Sequence, residues 1–584
     1  MLVGGLGHTD LSGKVPRPGL LMLRKALQCA GHDAEVLNYA LLLGPRMFPP
    51  DVVENLSKRY YRSIKPVVID GVHPIKKPLP YLFLPLDMRG LIRATRWIQK
   101  NEVTILKQLG RELSNKIRTE NVDAIGFSLY IGSSTIGAIL MANYLRKEHP
   151  DLPIFFGGPQ TTHFAETIFR ETQAPTALVL GEGEIAIVKL AQAISHIRRG
   201  DLSVLSKIPN LVYKTPDGNL KATIRKRLSH EEWIESSKDI YADEDFEGVL
   251  RYAFIEASRG CIYGCRFCPQ PLLSGKDRYL KSGEQIVNEM EEIYDRFGIH
   301  HFELVGSSTP PAQAEAIAEV LHQRCLEDRF RWGLFMRGKD ETATKKGLPS
   351  MMRQLHSAGA HSIFFGVEAA SNQTLKKMGK GERIEDIKAA MIAAKNEGIA
   401  TIGSFIYPYP GMLPDEGQRI IQFLKEVLPN SAPAQPLGLY PGTYCASLAE
   451  EIGVELLYPE KKDQKAYAKG RKNPPSMESP EVLSYLLQYP LILSLPMRFW
   501  PPLPWKIDGM SYRQTVKAVN LLQKEMGKLG IMTGLSHSHM LLAGVLGWSP
   551  VEMAERLFYC SITGDPKVTQ SIVERFNNRA SKKS

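Results

Sequence analysis

Apolar and polar positions along the chain fall into two alternating series, set off by stretches of a different character. A short apolar run at 1–5, leucines at helical spacing over 19–30 and an extended run at 34–37 predict strand, helix and strand. From 41 to 120 the pattern stalls in an irregular, Pro-containing, basic insertion with helical pieces at 88–118. It resumes as strand 123–129, helix 135–146, strand 153–156, helix 163–170, strand 177–180 and helix 184–197. Such a βαβαβα series predicts a doubly wound, Rossmann-like parallel sheet with ligands at the carboxyl ends of its strands.

Residues 201–245 read as a mostly polar linker with one hairpin, broken at Pro216-Asp217-Gly218. The second series has strands at 252–257, 302–305, 332–336, 362–366 and 401–406 with helical segments between them. It predicts a partial (β/α)6 parallel barrel whose strand-end loops carry the chemistry. After 430 the alternation ends. The expected organisation is an α/β domain over 1–200 with the insertion 41–120, the linker 201–245, a barrel over 246–430, and a mostly helical, substrate-binding module over 431–584 with a Pro- and aromatic-rich stretch at 489–505.

A chain of 584 residues exceeds what one hydrophobic core supports, in keeping with several domains. The net charge of +11 favours acidic ligands, but no zinc finger, RNA-recognition signature or basic tail accompanies it. The densest basic stretch (Lys461, Lys462, Lys465, Lys469, Arg471, Lys472) reads as a solvated loop, so no nucleic-acid partner is expected. Without an apolar run of about 18 residues or a signal-peptide pattern, the chain is expected to be cytoplasmic, with no membrane span, and a monomer. Seven cysteines, three of them close together, suit metal ligation better than a disulfide framework.

Those three lie in Ser258-Arg259-Gly260-Cys261-Ile262-Tyr263-Gly264-Cys265-Arg266-Phe267-Cys268-Pro269, directly after a predicted strand. Thiolates spaced CxxxCxxC can hold three irons of a cubane, and a missing fourth ligand keeps one iron open. A zinc site is the alternative, yet no second CxxC or HxxxH pair completes it. At these residues the chain resembles the radical SAM superfamily, in which a [4Fe-4S] cluster chelates S-adenosylmethionine (SAM) and an aromatic residue such as Phe267 precedes the third cysteine. The resemblance implies that Cys261, Cys265 and Cys268 are the cluster ligands. It places Arg337, after the third strand, and Glu368, after the fourth, near SAM; either is otherwise a surface salt-bridge partner. Where relatives carry acidic residues after the second strand, this chain has Val305-Gly306-Ser307-Ser308-Thr309, so Ser307 or backbone is expected to hold SAM there. Tyr407-Pro408-Tyr409-Pro410-Gly411 replaces the more common Gly-x-Pro-Gly.

In the first series Gly126-Phe127-Ser128, Ser133-Ser134-Thr135, Gly157-Gly158-Pro159-Gln160 and Gly181-Glu182-Gly183-Glu184 sit at strand ends and helix starts. Small residues there admit a bulky planar ligand, and helix N-termini bind its polar groups. Ahead of this barrel the four segments resemble the cobalamin-binding domain of cobalamin-dependent radical SAM enzymes. That implies cofactor contacts from Ser128, Thr135, Gly157, Gly158, Gly181 and Glu182; the alternative is an ordinary nucleotide-binding-like sheet whose glycines serve turns. The axial Asp-x-His-x-x-Gly pattern is absent, and His8 only echoes it.

The resemblance implies a methyltransferase that carries methyl from SAM via methylcobalamin to a carbon of a small-molecule or natural-product substrate, drawing electrons from an external donor such as flavodoxin or ferredoxin. Cyclisation or rearrangement, and methylation of an indole-type carbon without a substrate radical, stay open. In the C-terminal module Tyr440-Pro441-Gly442-Thr443 is a cavity-lining segment or a simple turn. Met497, Phe499, Trp500 and Trp505 cap the domain or wall a pocket. His537 and His539, two apart, do not share a helical face.

Overall fold

Short apolar runs punctuated by Gly and Pro build the first sheet. The computed structural model describes residues 1–4, 14–69, 78–130, 132–340, 347–449, 451–456 and 505–580. These divide into two units, 1–228 with 555–574, and 229–456 with 505–554 and 575–580. His8, the basic stretch 461–472, and Met497, Phe499 and Trp500 lie outside the described residues.

The first unit runs β1 (Leu2–Gly4), α1 (Pro18–Cys29), β2 (Val36–Asn38), α2 (Ala40–Met47), α3 (Pro50–Arg59), a π-helical stretch Tyr60–Ile69, α4 (Leu79–Thr119), β3 (Ile125–Ser128), α5 (Gly132–Glu148), β4 (Ile154–Gly157), α6 (Pro159–Glu171), β5 (Ala177–Val179), α7 (Glu184–Arg198), β6 (Leu211–Lys214) and β7 (Leu220–Ala222). The sheet order is β2-β1-β3-β4-β5-β6-β7, parallel through β5. The last two strands run antiparallel, so the hairpin expected within the linker extends this sheet. Leu2, Leu20, Leu27, Ala34 and Ile187 form one buried cluster. Phe155, Ala177, Val179, Leu190 and Leu211 form another.

The described part of the insertion, 41–69 and 78–120, is mostly helical where the sequence reads as irregular. Its prolines were poor guides because Pro50 opens a helix at N1, where its missing N–H costs nothing, and Pro66 lies in the wider π-turns. One face of the 41-residue α4 is buried through Leu91, Ile98, Leu106, Leu109 and Leu113, and Gly110 lets Tyr144 of α5 approach. The fully buried carboxylate of Asp87 is paired with Arg59 and Arg62 and accepts from Ser63 Oγ at 2.6 Å.

The second unit begins with α8 (His230–Ser237), β8 (Ala253–Glu256), β9 (Ser258–Arg259), α9 (Gln270–Ser274), β10 (Tyr279–Leu280), α10 (Gly283–Phe297), β11 (His301–Val305), α11 (Pro311–Gln323) and β12 (Arg331–Met336). It continues with α12 (Leu348–Ser357), β13 (Ala360–Glu368), α13 (Asn372–Lys377), α14 (Ile384–Asn396), β14 (Ala400–Ile406), α15 (Glu416–Val427) and β15 (Ala434–Gln435). Six strands, ordered β15-β14-β13-β12-β11-β8 and all parallel, make the partial barrel. The turn before α10 carries a Ser282–Gln285 capping box, and Gly298 ends the helix in the left-handed conformation. Past the barrel come α16 (Tyr444–Ser447), the antiparallel pair β16 (Val454–Leu456) and β17 (Trp505–Ile507), and helices α17 (Tyr512–Lys528), α18 (His537–Leu546), α19 (Pro550–Thr563) and α20 (Pro566–Ala580).

Inside the barrel, Phe254, Glu303, Gly333 and Ser362 lie in register across four strands. His537 from α18 fills the gap that Gly333 leaves: a Cβ on Gly333 would stand 3.1 Å from its Nδ1. That nitrogen bonds to Ser362 Oγ at 2.8 Å, and the ring meets Phe335 edge-on at 4.7 Å. His539 acts separately, its Nδ1 accepting the Ser536 N–H at 3.1 Å.

Glu303 accepts a hydrogen bond from Tyr252, and burial pushes its carboxyl up to about 7. A raised carboxyl binds more protons folded than unfolded across the window from the ordinary value of 4.5 up to about 7. This group's contribution to stability therefore falls as pH rises through that window and levels off above it. Glu303→Gln removes the dependence. The difference between wild-type and variant thermal midpoints should shift in the variant's favour from pH 5 to pH 8, whereas parallel curves would show that Glu303 is not held neutral.

Candidate active site

The carboxyl end of β8 leads through Ser258, Arg259 and Gly260 (φ 81°) into the cysteine loop. Arg259 grips Glu256 at 2.8 and 2.9 Å, and Glu256 also accepts from Trp233 Nε1 at 2.8 Å, which fixes the loop's point of departure. Three backbone bonds from distant segments hold its shape: Cys261 N–H to Gly275 O (3.1 Å), Arg266 N–H to Met378 O (2.9 Å) and Cys445 N–H to Arg266 O (3.0 Å). Gly379, with φ 65°, completes the clamp, since a Cβ there would lie 2.9 Å from Gly264 O.

Cys261, Cys265 and Cys268 are free and half-buried. Burial pushes the Cys268 thiol up to about 11, with the other two thiols adding to the shift. Cys265 is also raised by burial, against the pull of Lys380 and Arg337. Thiolates brought together here therefore need compensating positive charge. Among the described residues no three His, Cys, Asp or Glu side chains stand close enough to chelate one metal ion.

The positive charge is built in. Arg337, at the end of β12, reaches Cys265 Sγ at 4.0 Å, covers the Tyr263 ring at 3.6 Å and pairs with Glu382 at 3.1 Å. Lys380, also buried, stands 3.3 Å from Glu382 and 3.9 Å from Glu368. Glu368 adopts φ 68°, a strained conformation for a side chain of its kind, and burial raises its carboxyl. Glu382 further accepts the Lys339 N–H at 2.9 Å. The segment supplying Lys380 and Glu382 follows α13, whose start is pinned by the buried Glu416 through Ser371 (2.7 Å) and Thr374 (2.8 Å). Arg337 and Glu368 thus meet in one buried network, but Lys380, Glu382 and Tyr263 were not foreseen from the sequence. The Gly379-Lys380-Gly381-Glu382 string was the available signal.

Ser307 lies beside the loop with its hydroxyl engaged: it donates to Gly260 O, and its N–H donates to Ser258 Oγ at 3.1 Å. The hydroxyl without a partner here is that of Ser308, which is buried, and Arg337 Nε is likewise buried and unbonded. Phe267 is half-buried within the loop. Thr443 Oγ1 donates to Tyr440 O at 2.7 Å and caps α16, so the Tyr440–Thr443 segment is a turn that leads into Cys445.

In the first unit Ser128 and Gly157 are paired in register at the carboxyl ends of β3 and β4. Gly158 takes φ 97°, and a Cβ there would meet Leu129 O at 2.7 Å; Gly181 takes φ 63° and donates its N–H to Thr162 Oγ1 at 2.9 Å. Thr135 lies in the first turn of α5, half-buried. Glu182 is engaged within the chain, accepting from Arg227 Nε (3.2 Å) and Leu228 N–H (2.9 Å). The edge so formed carries glycines at Gly4, Gly157, Gly158 and Gly181, and the starts of α5, α6 and α7. Glu182 fastens the sheet to the following strap.

The sequence profile of the radical SAM superfamily matches residues 255–424. An uncharacterized methyltransferase of Pyrococcus horikoshii is 25% identical over 366 residues, covering 62% of this chain and 77% of that protein. Hopanoid C-3 methylase of Methylococcus capsulatus is 24% identical over 341 residues, 56% of this chain and 62% of that one. The chain spans 52% of the anaerobic magnesium-protoporphyrin IX monomethyl ester cyclase of Rubrivivax gelatinosus, at 25% identity over half its own length. Among solved structures, the radical SAM methyltransferase TsrM from Kitasatospora setae, with cobalamin and a [4Fe-4S] cluster bound, matches at TM-score 0.61 and 15% identity over 95% of this chain and 98% of that one. At that identity the likeness is one of fold.

Lys380→Met leaves Glu368 and Glu382 without their shared cation. An uncompensated buried charge costs about 3–5 kcal/mol, so denaturant unfolding of the barrel should shift to lower concentration, with Lys380→Arg recovering most of the loss. An unchanged midpoint would mean that solvent reaches the network.

Proposed function

We propose that this chain, whose residues 255–424 belong to the radical SAM superfamily, is a cobalamin-dependent radical SAM methyltransferase that moves a methyl group from SAM to a carbon atom of a small-molecule substrate. One observation carries the reading. A three-thiol loop backed by buried cations and a glycine-edged sheet occur in one chain, and 95% of that chain shares the fold of a methyltransferase solved with cobalamin and a [4Fe-4S] cluster.

The residues present fit these groups. Cys261, Cys265 and Cys268 are the cluster ligands, and Arg337 with Lys380 offsets their charge. Ser308 Oγ and Arg337 Nε, both buried and without a hydrogen-bond partner, are donors for the polar end of SAM. Ser128, Thr135, Gly157, Gly158 and Gly181 line the edge that takes the corrinoid, with the helix starts supplying N–H groups to its amides. When bound, the cluster, SAM and corrinoid supply the electron transfer and the methyl group. The protein positions them and excludes water. A one-electron donor of the flavodoxin or ferredoxin class completes the system. A polar methylation of an aromatic carbon is the second reading, favoured by the hydroxyl-bearing Val305–Thr309 segment, which has no acid.

Two sets of measurements test the proposal, one on the cluster and SAM and one on the corrinoid. With methyl-labelled SAM, label should appear in the product; Cys265→Ala should lose the visible absorption of the cluster and all SAM cleavage, and retention of both would sink the cluster assignment. 5′-deoxyadenosine forming alongside product marks the radical route, and its absence the polar one. Separately, cobalamin at about a hundredfold over its Kd should stabilise the chain by about 2.7 kcal/mol. No stabilisation, and no corrinoid retained on gel filtration, would remove cobalamin from the reading.

A further inference from the structure

The two halves of α4 have different outer faces. In its second half the exposed positions are polar: Thr104, Lys107, Gln108, Arg111, Glu112, Asn115 and Arg118. This is the ordinary solvent side of a helix. In the first half they are Leu79, Leu82, Leu86, Ile92 and Trp97, which are 62%, 69%, 55%, 38% and 43% exposed, with Arg89 and Arg93 among them. At about 100° per residue, Leu79, Leu82, Leu86, Arg89, Arg93 and Trp97 fall within one quarter of the helix circumference. They form a stripe running roughly 27 Å along the axis.

The sign of the charge on this stripe is also set by the fold. Between 79 and 100 the sequence contains a single acidic residue, Asp87. Its side chain is turned inward, has no exposure, and is neutralised by Arg59 and Arg62 with Ser63. The outer face is left apolar and cationic, with no negative charge among its described side chains. Exposed leucines in such density are uncommon on a face meant for water. Arginines interleaved with Leu and Trp are the composition of a helix that lies in a lipid interface, apolar side chains among the acyl boundary and guanidinium groups at the phosphates. No helix among the described residues is long and apolar enough to cross a membrane.

We infer that the first half of α4 is a membrane-surface helix that docks this protein in plane on an anionic lipid bilayer. The occupant follows from charge complementarity: a bilayer offers at one boundary both the apolar layer the leucines and Trp97 need and the phosphates the arginines need. An RNA would meet the arginines and leave the leucines wet. The inference stands apart from the reaction assigned above.

The test is sedimentation of the full chain with vesicles of phosphatidylcholine alone and of phosphatidylcholine mixed with phosphatidylserine, at low and high salt. The protein should pellet with the mixed vesicles, and salt should weaken the binding. Arg89→Ala with Arg93→Ala should lower the affinity roughly thirtyfold. Leu82→Glu with Leu86→Glu should abolish pelleting. Lys107→Ala with Arg111→Ala, on the polar half, should change little. All substituted positions are exposed, and circular dichroism verifies that each variant stays folded. Four outcomes overturn the inference: no pelleting with mixed vesicles; equal loss from the Lys107/Arg111 pair; pelleting that the leucine variants do not alter; or a dimer broken by the leucine variants without any vesicle binding, which would assign the face to a second copy of the chain.

Discussion

Charge compensation in a buried space governs how the barrel's carboxyl end is built. Arg337 and Lys380 lie against Glu368 and Glu382, and next to them stand three cysteines. Two buried cations and two buried anions are tolerable only because each faces an opposite charge at close range. The arrangement explains otherwise unrelated details: the left-handed Glu368 at the end of β13, the glycines flanking Lys380, and the fastening of α13 by Glu416. Each detail places one of the four charges within reach of the others. The sheet of the first unit follows a different rule, keeping its strand ends small and the Glu182 carboxylate engaged at the base of a strap.

The cysteine loop was legible in the sequence because its three thiols come from one short loop, and spacing alone reports it. The strand series was legible for a similar reason: buried parallel strands are apolar runs between Gly- and Pro-marked turns. The charge network was not. Arg337 follows β12 whereas Glu368 ends β13 and Lys380 follows α13, and only the pairing of β12 with β13 brings them together. The hydroxyl after the second strand shows how narrow the margin is. Ser307 was expected to be the available one, yet it turns to Gly260 while its neighbour Ser308 is left unbonded, a distinction that depends on which way each side chain points. The insertion between β2 and β3 misled for another reason. Proline reads as a helix breaker, but at N1, as in Pro50, or in a π-turn, as in Pro66, it breaks nothing.

His537 shows how the C-terminal helices complete the barrel as well as extend it. Gly333 leaves a gap in the wall of side chains, and the imidazole from α18 occupies it, bonded to Ser362. Burial lowers this imidazole to about 3, so it stays neutral and behaves as a flat filler with one useful acceptor. The barrel interior is therefore finished by residues far along the chain.

The cysteine loop has the same property, with a consequence for how the protein is made. Its backbone is clasped by Gly275, Met378 and Cys445, the last of which is synthesised long after Cys261. At ordinary elongation rates of about 5–20 residues per second, roughly ten to forty seconds separate Cys261 from the final clasp. Until then the loop lacks that one backbone bond. A cluster seated on this loop, as proposed above, would gain the last of its backbone clasps only once residue 445 has been made.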